Sequence, residues 1–151
     1  MCGIAGILGN IKEKNLFQAK KMLLSISHRG PDKLRILDTK NALLSFARLK
    51  IIDFNDRAMQ PMISSDQKHI LLFNGEIYNY KNLKKLLESK YGVKFKNKTD
   101  TQVILELISI FGLYEALQMM EGMFAFVLFD KQSKVVSLVR DRFGEKPLFY
   151  Y

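Results

Sequence analysis

Apolar and polar residues alternate with period two over residues 3–8, 34–38, 42–48, 68–73, 124–129, 135–140 and 147–151, which predicts seven strands. Some of these are apolar at consecutive positions, most clearly Phe124-Ala125-Phe126-Val127-Leu128-Phe129. A strand of that kind has apolar surroundings on both sides, as in a sheet covered by helices or by a second sheet. Helical spacing occurs three times. Leu16, Ala19, Leu23 and Ile26 share one face, with Asn15 as the expected N-cap. Leu83, Leu86 and Leu87 form the apolar stripe of a second helix, which Asn79 is placed to cap. Val103, Ile104, Leu107 and Ile108 mark a third over about residues 101–111, capped by Thr99 or Asp100 and stopped by Gly112. A short helix at 113–119 follows, before a turn at Glu121-Gly122. Strands and helices fall in separate runs, which predicts an α+β fold rather than a doubly wound parallel one.

No repeat and no proline- or serine-rich linker divides the 151 residues, so residues 1–151 read as one domain. The longest apolar run, residues 123–129, is seven long, against the ~20 a membrane-spanning helix needs. The first residues, Met-Cys-Gly-Ile-Ala-Gly-Ile-Leu, lack the basic region that precedes the apolar part of a secretory signal. A single cysteine cannot form an internal disulfide, and together these features predict a cytoplasmic protein. The chain stops on Phe149-Tyr150-Tyr151, mid-strand by pattern, and the expectation is a domain incomplete at its C-terminus.

The net charge of +9 raises the question of nucleic acid. Eighteen of the 24 cations are lysine, scattered along the chain with the densest group between Lys81 and Lys98. Nucleic-acid surfaces favour arginine forks interleaved with aromatics. The pattern here fits a solvated lysine-rich surface better.

Cys2 carries the most chemical information. Removal of Met1, which a small second side chain permits, leaves a thiol and a free α-amine on one residue. The amine titrates near 7.7–8.0 and the thiol near 8.5, so the amine can act as a base at neutral pH. That is an N-terminal nucleophile needing no base from elsewhere in the chain. A small buried cysteine opening a strand is the competing reading.

Asn74-Gly75-Glu76 follows the apolar strand 68–73. An asparagine amide and a glycine N–H at a strand end can aim at one oxygen, the donor pair of an oxyanion hole. An Asn-Gly hairpin turn fits the same tripeptide, although the Asn79 cap argues against a simple hairpin. Arg48 ends an apolar stretch, where a guanidinium can grip a carboxylate with two bonds or simply lie on the surface. Asp100 can hold an ammonium group or cap its helix. Taken together, a thiolate, an oxyanion hole, a carboxylate holder and an ammonium holder suit an α-amino acid with a reactive side-chain carbonyl. His28 and His69 stand at no metal-ligand spacing, and no metal is expected.

Six motifs occur in order: Met1-Cys2-Gly3-Ile4-Ala5-Gly6, His28-Arg29-Gly30-Pro31-Asp32, Arg48-Leu49, Asn74-Gly75-Glu76-Ile77-Tyr78-Asn79, Glu121-Gly122-Met123-Phe124-Ala125-Phe126 and Arg140-Asp141-Arg142-Phe143-Gly144. The set resembles the glutaminase domain of glutamine-hydrolysing asparagine synthetases, class II glutamine amidotransferases of the N-terminal-nucleophile hydrolase fold. The resemblance covers essentially the whole chain. It implies an αββα sandwich of two antiparallel sheets between helical layers. It implies Cys2 as the nucleophile that forms a glutamyl thioester from L-glutamine and releases ammonia, with Asn74 and Gly75 as the oxyanion hole. Arg48, Ile51 and Ile52 match the loop that binds the glutamine carboxylate, and Glu76 and Asp100 match residues near its α-ammonium.

Related amidotransferases with other acceptors carry similar motifs, so the resemblance leaves the acceptor open. An inactive glutamine-binding domain and a homo-oligomer also stay open. Phe46-Ala47 stands before Arg48 where relatives often have His-Glu. The Ser-Gly-Gly-x-Asp-Ser loop of the family's synthetase domain is absent from these 151 residues. Hydrolysis of glutamine calls for no cofactor, while ATP and Mg belong with the synthetase domain or chain that receives the ammonia.

Overall fold

A computed structural model describes residues 2–50 and 58–151. Ile51 and Ile52 lie outside the described residues. The first sheet joins β1 (Gly3–Leu8), β2 (Lys33–Asp38) and β3 (Ala42–Arg48) in the order β1-β3-β2, all antiparallel neighbours. Helix α1 (Glu13–Ser25) makes the crossover from β1 to β2 and packs on β1 and β3. The second sheet contains β4 (Met62–Ile63), β5 (His69–Ile77), β6 (Gly122–Asp130) and β7 (Val136–Arg140) in sequential antiparallel order. Its other face is covered by α2 (Tyr80–Tyr91), α3 (Asp100–Phe111) and α4 (Leu113–Met119).

Two apolar layers result. Between the sheets, Ala42, Leu44, Phe46, Met59, Ile70, Leu72 and Phe129 pack together, with Cys2, Ile4 and Val127 at their margin. Between the second sheet and its helices, Leu71, Phe73, Ile77, Phe124, Phe126 and Leu128 meet Leu83, Leu87, Ile104 and Leu107. Neighbouring residues of β5 thus enter opposite layers: Ile70 and Leu72 face one, Leu71 and Phe73 the other. Burial on both faces explains the continuous apolar runs, and β3 is buried at every position. The α+β, αββα expectation holds.

Three local expectations need correction, and the Asn79 cap holds in position but without a capping bond. Asn15 is not the N-cap of α1, which starts at Glu13; its Oδ1 accepts the Lys12 amide at 2.8 Å from inside the first turn. Asn79 sits at the N-cap of α2, but its side chain makes no capping bond. Its Nδ2 donates to the Met119 carbonyl at 2.9 Å and its Oδ1 accepts the Glu121 amide at 3.2 Å, fastening α2 to the approach to β6. Asn74 and Gly75 do not follow a strand end. β5 continues to Ile77, with Gly75 opposite Phe124 on β6. Residues 147–151 form no strand, because no strand edge pairs with them, and Phe149 and Tyr150 stand exposed. The Gly112 stop is as expected, at φ 81° where an L side chain is disfavoured, and Thr99 rather than Asp100 caps α3 through Oγ1 to the Gln102 amide.

Candidate active site

Cys2 precedes the first residue of β1, and β1 runs antiparallel to β3 with Gly3 opposite Ala47. That register carries Cys2 to the end of β3, where the chain leaves the sheet after Arg48. The Leu49 amide donates to Cys2 Sγ at 3.3 Å, and the thiol lies 3.6 Å from the Leu49 carbonyl as its acceptor. The side chain is half-buried.

The 3-10 turn Ser27–Arg29 and its following loop hold this corner together. Arg29 Nε donates to the Cys2 carbonyl at 3.4 Å. The Asp32 amide donates to the Arg48 carbonyl at 3.1 Å, and Asp32 Oδ2 accepts the Lys50 amide at 2.7 Å. Gly30 lies so close to β3 that a Cβ there would come 2.2 Å from the Ala47 carbonyl oxygen. The His28-Arg29-Gly30-Pro31-Asp32 motif therefore braces the segment carrying Cys2's partner. Sequence reasoning counted it among the six ordered motifs but assigned it no part in the site.

Arg48 is buried, at 4% exposure, where β3 ends. Asn74 and Gly75 lie on β5, on the other side of the inter-sheet layer, and β1 and β5 come into contact across it. The Asn74 carboxamide is also buried, and its Oδ1 finds no hydrogen-bond partner among the described residues. Buried polar atoms are rarely left unsatisfied, and functional sites are where the exceptions concentrate. Gly75 is required sterically: a Cβ there would sit 2.2 Å from the Met123 carbonyl oxygen and 2.6 Å from Phe124 Cα.

Asp100 opens α3 and turns back onto the end of β5. Its Oδ2 accepts the Ile77 amide at 3.1 Å and its Oδ1 the Thr101 amide at 2.8 Å. Burial raises the carboxyl's pKa to about 6; the two amides pull it down, and the neighbouring negative charge of Glu76 adds to the rise. Glu76 is exposed. The structure thus gathers the predicted residues into two groups: Cys2 with Arg48 at the end of β3, and Asn74, Gly75, Glu76 and Asp100 around the end of β5. Among the described residues, no three His, Cys, Asp or Glu side chains cluster as a metal site, and no helix is long and apolar enough to cross a membrane.

This sandwich matches a solved glutamine phosphoribosylpyrophosphate amidotransferase from B. subtilis with a TM-score of 0.67 and 21% identity, over 87% of this chain and 35% of that one. The two chains therefore share a fold. A family model described as "Glutamine amidotransferase domain" matches residues 1–151, and the chain belongs to that family. Its relatives include asparagine synthetase [glutamine-hydrolyzing] 2 of Bacillus subtilis, 38% identical over 99% of this chain and 20% of the relative. Asparagine synthetase B of Escherichia coli is 37% identical over 99% of this chain and 26% of its own length. The human asparagine synthetase is 36% identical, again over 99% of this chain and 26% of the relative. The chain thus spans about a fifth to a quarter of the length of these proteins.

Proposed function

We propose that the chain is the glutaminase unit of an asparagine synthetase and hydrolyses L-glutamine to glutamate and ammonia. The observation that carries the reading is the position of Cys2: a half-buried thiol second in the chain, bonded to the residue after a buried arginine, in a domain of the glutamine amidotransferase family. With Met1 removed, the Cys2 α-amine accepts the thiol proton and sulfur attacks the side-chain carbonyl carbon of glutamine. The oxyanion that forms is received by the Asn74 carboxamide and the Gly75 N–H. The C–N bond then breaks, the amine returns its proton, and ammonia leaves a glutamyl thioester on Cys2. Water attacks the thioester, releasing glutamate and restoring the thiol. Arg48, with Ile51 and Ile52, receives the α-carboxylate of the substrate, while Asp100 and Glu76 receive its α-ammonium.

Every step uses groups of the chain itself and needs no cofactor. Ammonia passes to a synthetase domain or chain that amidates aspartate, and the ATP and Mg of that reaction belong there. The names of the relatives support this acceptor. The single cysteine fits a reducing compartment, which we read as the cytoplasm. Mass spectrometry of acid-quenched protein after mixing with L-glutamine tests the covalent step. A glutamyl adduct on the N-terminal peptide is expected; an adduct elsewhere would displace Cys2 from the role.

A further inference from the structure

Gln60 is buried at 5% exposure on the stretch leading into β4. β4 pairs with β5 through Met62 opposite Leu71 and Ile63 opposite Ile70. Continuing that register places residue 60 opposite Phe73. There the side chain does what a backbone would: Gln60 Oε1 accepts the Phe73 amide at 2.6 Å, and Nε2 donates to the Phe73 carbonyl at 3.2 Å. The same Nε2 lies 3.4 Å from Thr101 Oγ1, as donor. Phe73 is bonded to Asn74, and Thr101 to Asp100. One buried carboxamide therefore touches the residue before the proposed oxyanion group and the residue after the proposed ammonium acceptor.

We infer that Gln60 is a positioning residue that sets the spacing between these two halves of the glutamine site. The inference rests on the glutaminase reading above. A carboxamide suits the task because it presents an acceptor and a donor in one plane, matching the two backbone groups of Phe73. With Phe73 gripped on both sides, Asn74 cannot shift along β5. With Thr101 tied to the same amide, the start of α3 cannot move relative to β5, and Asp100 stays under the Ile77 amide. A displacement of about 1 Å at either group is enough to affect turnover, because such a misplacement can cost about 10²-fold.

The test compares Gln60→Leu, Thr101→Val and the double variant with the parent chain, on L-glutamine and on its analogue lacking the α-amine. Gln60→Leu should raise KM for L-glutamine and lower kcat, each about tenfold. Its preference for L-glutamine over the des-amino analogue should narrow, because the Asp100 arm is no longer aligned. Thr101→Val should raise KM for L-glutamine alone, with kcat held within about twofold. The double variant should be less than additive in KM, since both changes cut the Gln60–Thr101 contact, while Thr101→Val also removes the 3.5 Å contact from Thr101 Oγ1 to Asp100 Oδ1. Equal loss on both substrates, or additive effects of the two substitutions, would overturn the inference.

Amide hydrogen exchange supplies a readout independent of turnover, and Thr101→Val supplies it where Gln60→Leu does not fold. Exchange at the Ile77 amide, bonded to Asp100, should accelerate in each variant, and exchange at Phe73 in Gln60→Leu. Unchanged exchange at Ile77 would remove the link to α3. A parent chain that leaves L-glutamine intact while these exchange changes occur would defeat the glutaminase reading and not the bridge.

Discussion

The Leu49 amide donates to Cys2 Sγ at 3.3 Å, joining the first described residue of the chain to the loop just past Arg48. The bond exists because β1 and β3 are antiparallel neighbours in a register that sets Gly3 against Ala47. It places the thiol beside the segment proposed to hold the substrate's carboxylate, so binding and attack share one backbone corner.

The α-amine of Cys2 is the proposed base, which makes Met1 inhibitory. A preparation that retains Met1 should be inactive, because the amine is then an amide nitrogen and no longer a base. Turnover should scale with the fraction of chains beginning at Cys2 by intact mass. An active preparation with Met1 fully present would contradict the assignment.

Asp100 gives a pH dependence whose sign is fixed by its raised pKa, about 6. The ionised form is needed to hold an ammonium group, so L-glutamine binding should weaken as pH falls below about 6, approaching about tenfold per pH unit. Measuring binding on Cys2→Ala keeps the thiol and the nucleophile's chemistry out of the profile. The same shift contributes stability at acidic pH, fully present below the unfolded carboxyl value, about 3.9, and lost as pH rises through about 6. Asp100→Asn should remove both dependences and bind L-glutamine weakly throughout.

Gly75→Ala should damage fold and activity together. Its Cβ would meet backbone atoms of Met123 and Phe124, which cannot retreat without opening the β5–β6 ladder. Overpacking of this kind costs about 1–3 kcal/mol. Denaturant titration should show that loss, and turnover should fall further than the folded fraction accounts for.

Asp141 is the anchor of the turn after β7. Its carboxylate accepts the amides of Phe124, Phe143, Glu145 and Lys146 at 2.9–3.2 Å. Burial opposes ionisation, but the four amides outweigh it and hold the pKa below the ordinary value. This stability is present above the unfolded carboxyl pKa and is lost as pH falls through the depressed folded value. Asp141→Ala should cost about 2–3 kcal/mol at neutral pH and flatten the parent's loss of stability below about pH 4. An equally steep acid limb in the variant would show that other groups carry it.

The strands β1 and β3 and the helix α4 were legible to the residue, because their apolar patterns are uninterrupted and their partners lie inside the chain. Asn74-Gly75-Glu76 read as a strand end because all three residues disfavour strands. β5 continues through them because β6 approaches so closely that only glycine fits at residue 75. Cys2, Arg48, Asn74 and Asp100 were picked out as candidates by residue type and order, and the structure groups them at the ends of β3 and β5. The brace formed by Arg29, Gly30 and Asp32 was visible only as a motif without a role, since its partners lie 16 or more residues away. Gln60 gave no signal at all: a side chain standing in for a strand backbone is defined by the register of β4 on β5, which no local pattern records.

The most direct test of the central claim is release of ammonia and glutamate from L-glutamine by the parent chain and by Cys2→Ala. The account predicts equimolar release by the parent and none above background by Cys2→Ala, with L-glutamine binding largely retained in the variant. Release at the parent rate from Cys2→Ala would contradict it.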